Sequence, residues 1–162
     1  MNIEPMRASD WPEVLRIYME GLDTGIATFE TEAPSWERWD TGHLRDARLV
    51  ARINGQLAGW AALSPVSSRL CYAGVVEVSI YIGSAVRGQG VGKALLAALI
   101  DESERSGIWT LQATIFAINA ASLGLHRQAG FRTVGRRERI AQRDGRWYDT
   151  VILERRSRVA GV

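Results

Sequence analysis

Apolar and polar positions divide the chain into alternating strand-like and helix-like stretches. Asn2–Arg7 reads as a first strand. Ser9 or Asp10 then caps a helix that carries Pro12 in its first turn, where a missing N–H costs little. Val14, Ile17, Tyr18 and Gly21 share the inner face of that helix. A second helix is predicted from Ser35 to about Asp46. Leu49–Ile53 and Leu57–Leu63 flank Asn54-Gly55, the strongest short hairpin signal there is. Val75–Ile82 follows as a strand, then a run rich in glycine, then a helix from Val91 to Glu104. On that helix Val91, Leu95 and Leu99 make an apolar stripe, while Lys93, Asp101 and Glu104 face elsewhere. Trp109–Ile115 is a further strand, and Asn119 caps a short helix ending at Gly130, a left-handed terminator. Phe131–Ile140 and Trp147–Glu154 form a last hairpin around Arg143-Asp144-Gly145. The order β-α-α-β-β-β-α-β-α-β-β predicts an α/β fold, a mixed sheet with helices on it.

No repeat, linker or low-complexity stretch interrupts this order, so residues 1–162 read as one domain. A formal charge of +2 is too small to argue for a nucleic-acid partner. Arginines do crowd the C-terminal third, from Arg136 and Arg137 through Arg143 and Arg146 to Arg158. They alternate with apolar residues, the pattern of a solvated strand face. A single cysteine, Cys71, excludes an internal disulfide and fits a reducing compartment. No apolar run approaches a membrane span, and Met1-Asn2-Ile3-Glu4 lacks the design of a signal peptide. A cytoplasmic protein is expected. His43 and Cys71 give no metal-ligand constellation, so no metal is expected.

The chemistry is concentrated in Arg87-Gly88-Gln89-Gly90-Val91-Gly92-Lys93, between a strand and a helix. Its glycines free the backbone to curl, so successive N–H groups turn into one concavity that attracts anions, phosphates above all. Two common phosphate loops fail on spacing. A Walker loop needs glycine at Arg87 and a hydroxyl at Ala94; the dinucleotide fingerprint meets Lys93 or Leu95 where its third glycine belongs. Arg-x-x-Gly-x-Gly, carried by Arg87, Gly90 and Gly92, does fit. It resembles the pyrophosphate loop with which the GCN5-related N-acetyltransferases grip coenzyme A. A second signature supports this: Asn119-Ala120-Ala121-Ser122, then Leu125-His126-Arg127-Gln128-Ala129-Gly130-Phe131, is similar to a helix of that superfamily. Within it, Thr28-Phe29-Glu30, Glu77-Val78-Ser79-Ile80-Tyr81-Ile82 and Gly145-Arg146-Trp147-Tyr148-Asp149 resemble the phosphinothricin and methionine sulfoximine acetyltransferases.

The resemblance implies acetyl-CoA as co-substrate, the amino group of a small amino acid analogue as acceptor, and a homodimer. The alternatives are another small amine, a protein N-terminus, or a non-catalytic acyl-CoA-binding module, for which the carboxylate of Glu77 would have no use. Transfer from a thioester to an amine needs a base, a hold on the carbonyl oxygen, and an exit for the thiolate. Glu77 is the candidate base, a carboxylate sharing one strand face with Ser79 and Tyr81. The alternative is a salt-bridged structural glutamate. By resemblance the strand around Ile80, Tyr81 and Ile82 splays from its neighbour and offers main-chain groups to the cofactor. Gly88, Gln89, Gly90, Val91, Gly92 and Lys93 form the expected pyrophosphate cradle, with Arg87 on a phosphate or capping the strand before it. Asn119, Ser122 and His126 share one helical face. Asn119 is implied to bond the pantetheine arm and also reads as an N-cap. His126 stands where relatives place a residue near the leaving sulfur, as general acid or as a structural histidine. Phe29 and Glu30, in a lid-like loop, and Trp147 are implied to border the acceptor, within one subunit or across a dimer interface, with Val78 and Ser79 beside Glu77. Arg69 stands in for a cation that relatives place before the glutamate strand to hold the acceptor's acidic end. No nucleophile–base pair is evident, so direct transfer without an acyl-enzyme is expected.

Overall fold

A computed structural model describes residues 1–162. The strands are β1 (Asn2–Pro5), β2 (Leu49–Ile53), β3 (Gln56–Pro65), β4 (Val75–Ile82), β5 (Thr110–Phe116), β6 (Arg132–Arg143) and β7 (Arg146–Arg156). The helices are α1 (Trp11–Asp23), α2 (Trp36–Gly42), α3 (Val91–Arg105) and α4 (Ala120–Gln128). The strands make one seven-stranded sheet in the order β1-β2-β3-β4-β5-β7-β6. Only β4 and β5 are parallel, joined across α3, and all other pairs are antiparallel. Parallel neighbours need such a crossover, and here the crossover begins with the glycine run.

Each face of the sheet carries its own core. On one side α3 and α4 bury Val91, Leu95, Leu96, Leu99 and Leu123 against Ala61, Leu63, Val76, Leu111 and Leu153. Each fully buried leucine contributes about 1.5–3 kcal/mol. On the other side Val14, Ile17, Tyr18 and Leu22 of α1 and Trp39 of α2 pack on Val50, Leu57, Trp60 and Ala62. Gly21 belongs to this interface for a steric reason: a Cβ there would stand 2.6 Å from the Tyr81 ring.

Three boundaries differ from the sequence reading. The second helix stops at Gly42 rather than near Asp46. Arg48 ends it: its guanidinium takes the carbonyls of Asp40, His43 and Leu44 and the Asp40 carboxylate, and the chain turns extended at His43. Asp10 does not cap α1 through its side chain. Its carboxylate instead accepts from the Arg7 N–H and pairs with Arg52 at 2.5 Å, fixing a short 3₁₀ turn over Ala8–Asp10. The last hairpin is longer than the apolar pattern suggested and carries an irregularity between Arg137 and Ala141, where Arg139 has φ +42°. Asp149 holds that bulge, accepting from the Arg139 N–H and the Arg136 guanidinium. No helix is long and apolar enough to cross a membrane.

Candidate active site

The parallel β4–β5 ladder is short. It pairs Val75, Val76 and Glu77 with Thr110, Leu111 and Gln112, and then the strands part. Beyond Glu77, β4 is paired to β3 alone, and beyond Gln112, β5 is paired to β7 alone. Alternation tells which main-chain groups face the gap. The Val75 carbonyl accepts from the Val66 N–H and the Gly83 N–H donates to the Ala58 carbonyl, both on the β3 side, so Glu77, Ser79 and Tyr81 turn their main-chain groups that way too. Ile80 and Ile82 therefore turn their N–H groups into the gap. The splay expected for this strand is present, and it opens a cleft of about 1110 Å³.

One end of the cleft is lined by Arg87, Gly88, Gly90, Gly92 and Lys93. Gly90, with φ +83°, is the N-cap residue of α3 and supplies no side-chain cap. The first intrahelical bond runs from the Ala94 N–H to the Gly90 carbonyl, and the N–H groups of Gly88, Gly90, Val91, Gly92 and Lys93 donate to no protein acceptor. An unpaired first turn at the positive end of a fifteen-residue helix, flanked by a lysine, fits a diphosphate. The side chains divide differently from their backbone. Val91 is buried in the core, and the Gln89 amide turns back to the Ala85 carbonyl. Arg87 donates to the Ile82 carbonyl at 3.2 Å, so it caps the strand end while still lining the cleft. Gly92 has a packing reason as well: a Cβ would come within 3.3 Å of Leu125 on α4.

The cleft wall continues along α4 with Asn119, Ser122 and His126. Asn119 is an N-cap, its Oδ1 accepting from the Ser122 N–H at 3.1 Å, and its Nδ2 donates to the Ile26 carbonyl at 3.3 Å. It thus ties the start of α4 to the loop after α1. His126 is only 2% exposed. Its Nδ1 lies 2.9 Å from the Ser122 carbonyl, which requires the proton on Nδ1 and leaves Nε2 as a bare, buried acceptor without a partner. Burial pulls the imidazole below its usual range, only partly offset by the Ser122 hydrogen bond. His126 thus lines the cleft as a buried ring fixed by the Ser122 carbonyl, with Nε2 unpaired.

At the other end stand Glu77, Ser79 and Tyr81 of β4, Thr114 and Phe116 of β5, and the loop Thr24–Glu30. Glu77 is half-buried, and its surroundings are more polar than an apolar strand suggested. Its Oε2 accepts from Gln112 Nε2 at 2.9 Å and from Thr114 Oγ1 at 3.4 Å, while Oε1 accepts from no protein donor. Gln112 and Thr114 were not singled out from sequence. The signal was present, since polar residues at alternate positions of β5 share one face. Phe29 packs on Phe116 with ring centroids 4.3 Å apart, which sets the loop over the cleft with Glu30 at its rim. Tyr81 stacks on Trp60 at 4.9 Å, and burial drives its phenol far above the usual range. Val78 also lines the cleft, from the α3 side of the strand. Two expected acceptor residues lie elsewhere. Arg69 rests over the Tyr72 ring, 5.5 Å from its centroid, outside the cleft. Trp147 is 53% exposed on β7 and borders a separate hollow with Glu138 and Arg139. Neither lines the cleft around Glu77 within one chain.

A mixed sheet split between its fourth and fifth strands, with an anion cradle at one end and a carboxylate at the other, defines an acyl-group transferase. Residues 11–131 match the acetyltransferase (GNAT) family, and the chain belongs to that family. It is 36% identical to phosphinothricin N-acetyltransferase of Alcaligenes faecalis, over 95% of this chain and 81% of the relative. Two solved structures share the fold closely. A ribosomal-protein-alanine N-acetyltransferase from Brucella melitensis has a TM-score of 0.90 at 32% identity, covering 97% of this chain and 100% of that one. A phosphinothricin acetyltransferase from Sinorhizobium meliloti in complex with AcCoA has a TM-score of 0.89 at 31% identity, covering 99% and 90%. The chain is an acetyl-CoA-dependent N-acetyltransferase.

Proposed function

We propose that this enzyme acetylates the α-amino group of a small amino acid analogue, phosphinothricin or methionine sulfoximine and its sulfone, by direct transfer. The observation that carries the reading is the position of Glu77, a carboxylate with one free oxygen where the β4–β5 ladder ends. Acetyl-CoA supplies an acyl carbon activated as a thioester. Glu77 Oε1 takes the proton of the incoming ammonium, directly or through a water, while Gln112 and Thr114 hold Oε2. The freed nitrogen forms its bond to the acyl carbon, the carbon–sulfur bond breaks, and the second proton shed by the nitrogen goes to the departing sulfur, which leaves as the coenzyme A thiol. The Ile80 N–H faces the gap beside this position, and such a donor lowers the barrier as the carbonyl oxygen gains charge, by about 10²–10³ in rate. The unpaired amides of residues 88–93 hold the diphosphate, and the loop carrying Phe29 and Glu30 closes the acceptor end.

The whole chain acts as one catalytic domain in this reading, since β1 and the β6–β7 hairpin, from opposite ends of the sequence, complete one sheet. A homodimer in the cytoplasm goes with it. The outer strand β6 is exposed along nearly its whole length, and Val134 and Ile140 on it and Trp147 on β7 are each about half exposed. Thiol release from acetyl-CoA, measured with a panel of amines, tests the substrate assignment. Release with phosphinothricin or methionine sulfoximine is expected. Release only with a peptide bearing an N-terminal alanine would move the assignment to the protein-modifying relatives.

A further inference from the structure

The C-terminal arginines read as a solvated face, and most of them are exposed. Arg143 is not. It ends β6 at the tip of the last hairpin, yet its side chain is only 9% exposed. Its guanidinium reaches across to the far end of α1 and the loop that follows. Nη2 donates to the Leu22 carbonyl at 2.7 Å, and Nη1 donates to the carbonyls of Thr28 at 2.7 Å and Glu30 at 3.2 Å. Asp144, whose carboxylate is the one in ion-pair reach of it, is 79% exposed and 3.4 Å away. A cation this buried is therefore balanced chiefly by carbonyl dipoles, all from one short stretch of chain. Those carbonyls frame Phe29 and Glu30, and the same loop is tied from the other side by Asn119 at Ile26.

We propose that Arg143 is a positioning residue for the acceptor amine: it clamps the carbonyls of Leu22, Thr28 and Glu30 and so fixes the loop that closes the cleft over Glu77. The assignment rests on the acceptor end lying where the proposed function puts it. Arginine suits the task because its planar fork satisfies diverging acceptors at once, which the single ammonium of lysine does not. Besides this clamp, the loop is held by the Asn119 bond at Ile26 and by Phe29 on Phe116. It contains no regular element, and its local bonds are the helix-end turns of Thr24 and Gly25 and short side-chain turns from Thr24 and Thr28. Placement of the lid thus draws on a residue more than a hundred positions away in sequence, which touches neither the amine nor the acyl group.

Arg143→Lys and Arg143→Ala in the full chain test this by two readouts. Hydrogen exchange without any acceptor is expected to accelerate over residues 22–30 and to stay unchanged over 87–93. In steady state, KM for the amine is expected to rise about ten- to hundredfold while KM for acetyl-CoA stays constant, and added guanidinium at millimolar level is expected to lower the raised KM of Arg143→Ala only. Unchanged exchange over 22–30, a parallel rise in both KM values, or loss of the folded state in both variants would each overturn the proposal. If the unaltered enzyme acetylates no amino acid, the substrate reading fails, and the exchange result still decides whether the clamp exists.

Discussion

Glu77 lies where one strand has lost its parallel partner, and its two oxygens have different surroundings. Oε2 is held by Gln112 and Thr114, and Oε1 is open to the cleft. Glu77→Gln is expected to keep the dissociation constant for acetyl-CoA and to lower kcat by about 10²–10⁴, read by calorimetry beside steady-state kinetics. Turnover like that of the unaltered enzyme would remove Glu77 from the chemistry. Gln112→Leu has a milder expected effect. It frees the carboxylate to rotate, so kcat falls by roughly tenfold, the worth of one hydrogen bond to a charged group, with KM for acetyl-CoA unchanged. His126 is held differently from Glu77. Its Nδ1 lies 2.9 Å from the Ser122 carbonyl, and its ring meets Phe131 edge-on at 5.0 Å.

The element that defines the site is the turn from β4 into α3. Gly90 adopts a left-handed conformation with open space where a Cβ would go, so strain rather than collision limits substitution. Gly90→Ala is expected to cost about 1–2 kcal/mol and to weaken acetyl-CoA binding, measured together by thermal denaturation and calorimetry. This turn was readable from sequence because its signal is local: glycines at fixed offsets, an apolar strand before them and an apolar helical stripe after. The strand parity that puts Glu77 with Ser79 and Tyr81 was readable for the same reason. What depended on distant partners was not. Arg143 looks like any surface arginine of a strand until Leu22, Thr28 and Glu30 are brought beneath it. Arg69 stood near enough in sequence to suit the acceptor, but its contact with Tyr72 is set by a turn whose course periodicity does not encode. The second helix ended early for a like reason, since Arg48 competes for its carbonyls from outside it.

Across the whole molecule, acid sensitivity near neutrality is assigned to two residues, because the chain has two histidines. Burial pulls both His126 and His43 below the usual imidazole range, and Arg48 adds to the effect at His43. A depressed folded value means that the unfolded chain binds the proton first. Stability is then complete above about pH 6.5, the unfolded value, and is lost as pH falls through the folded values. Tm is expected to drop between pH 7 and 5, and a variant replacing both histidines should flatten that slope. A separate fall at lower pH belongs to Asp149, whose carboxyl is held down by the Arg139 N–H and by Arg136. The brief pairing of β4 with β5 has a mechanical consequence too. Three residue pairs are the only ladder between a four-stranded plate and a three-stranded one, so this seam is the weakest line in the sheet. Thermal breathing should concentrate there, and any molecule lodged across it acts as a rivet, stiffening both plates together.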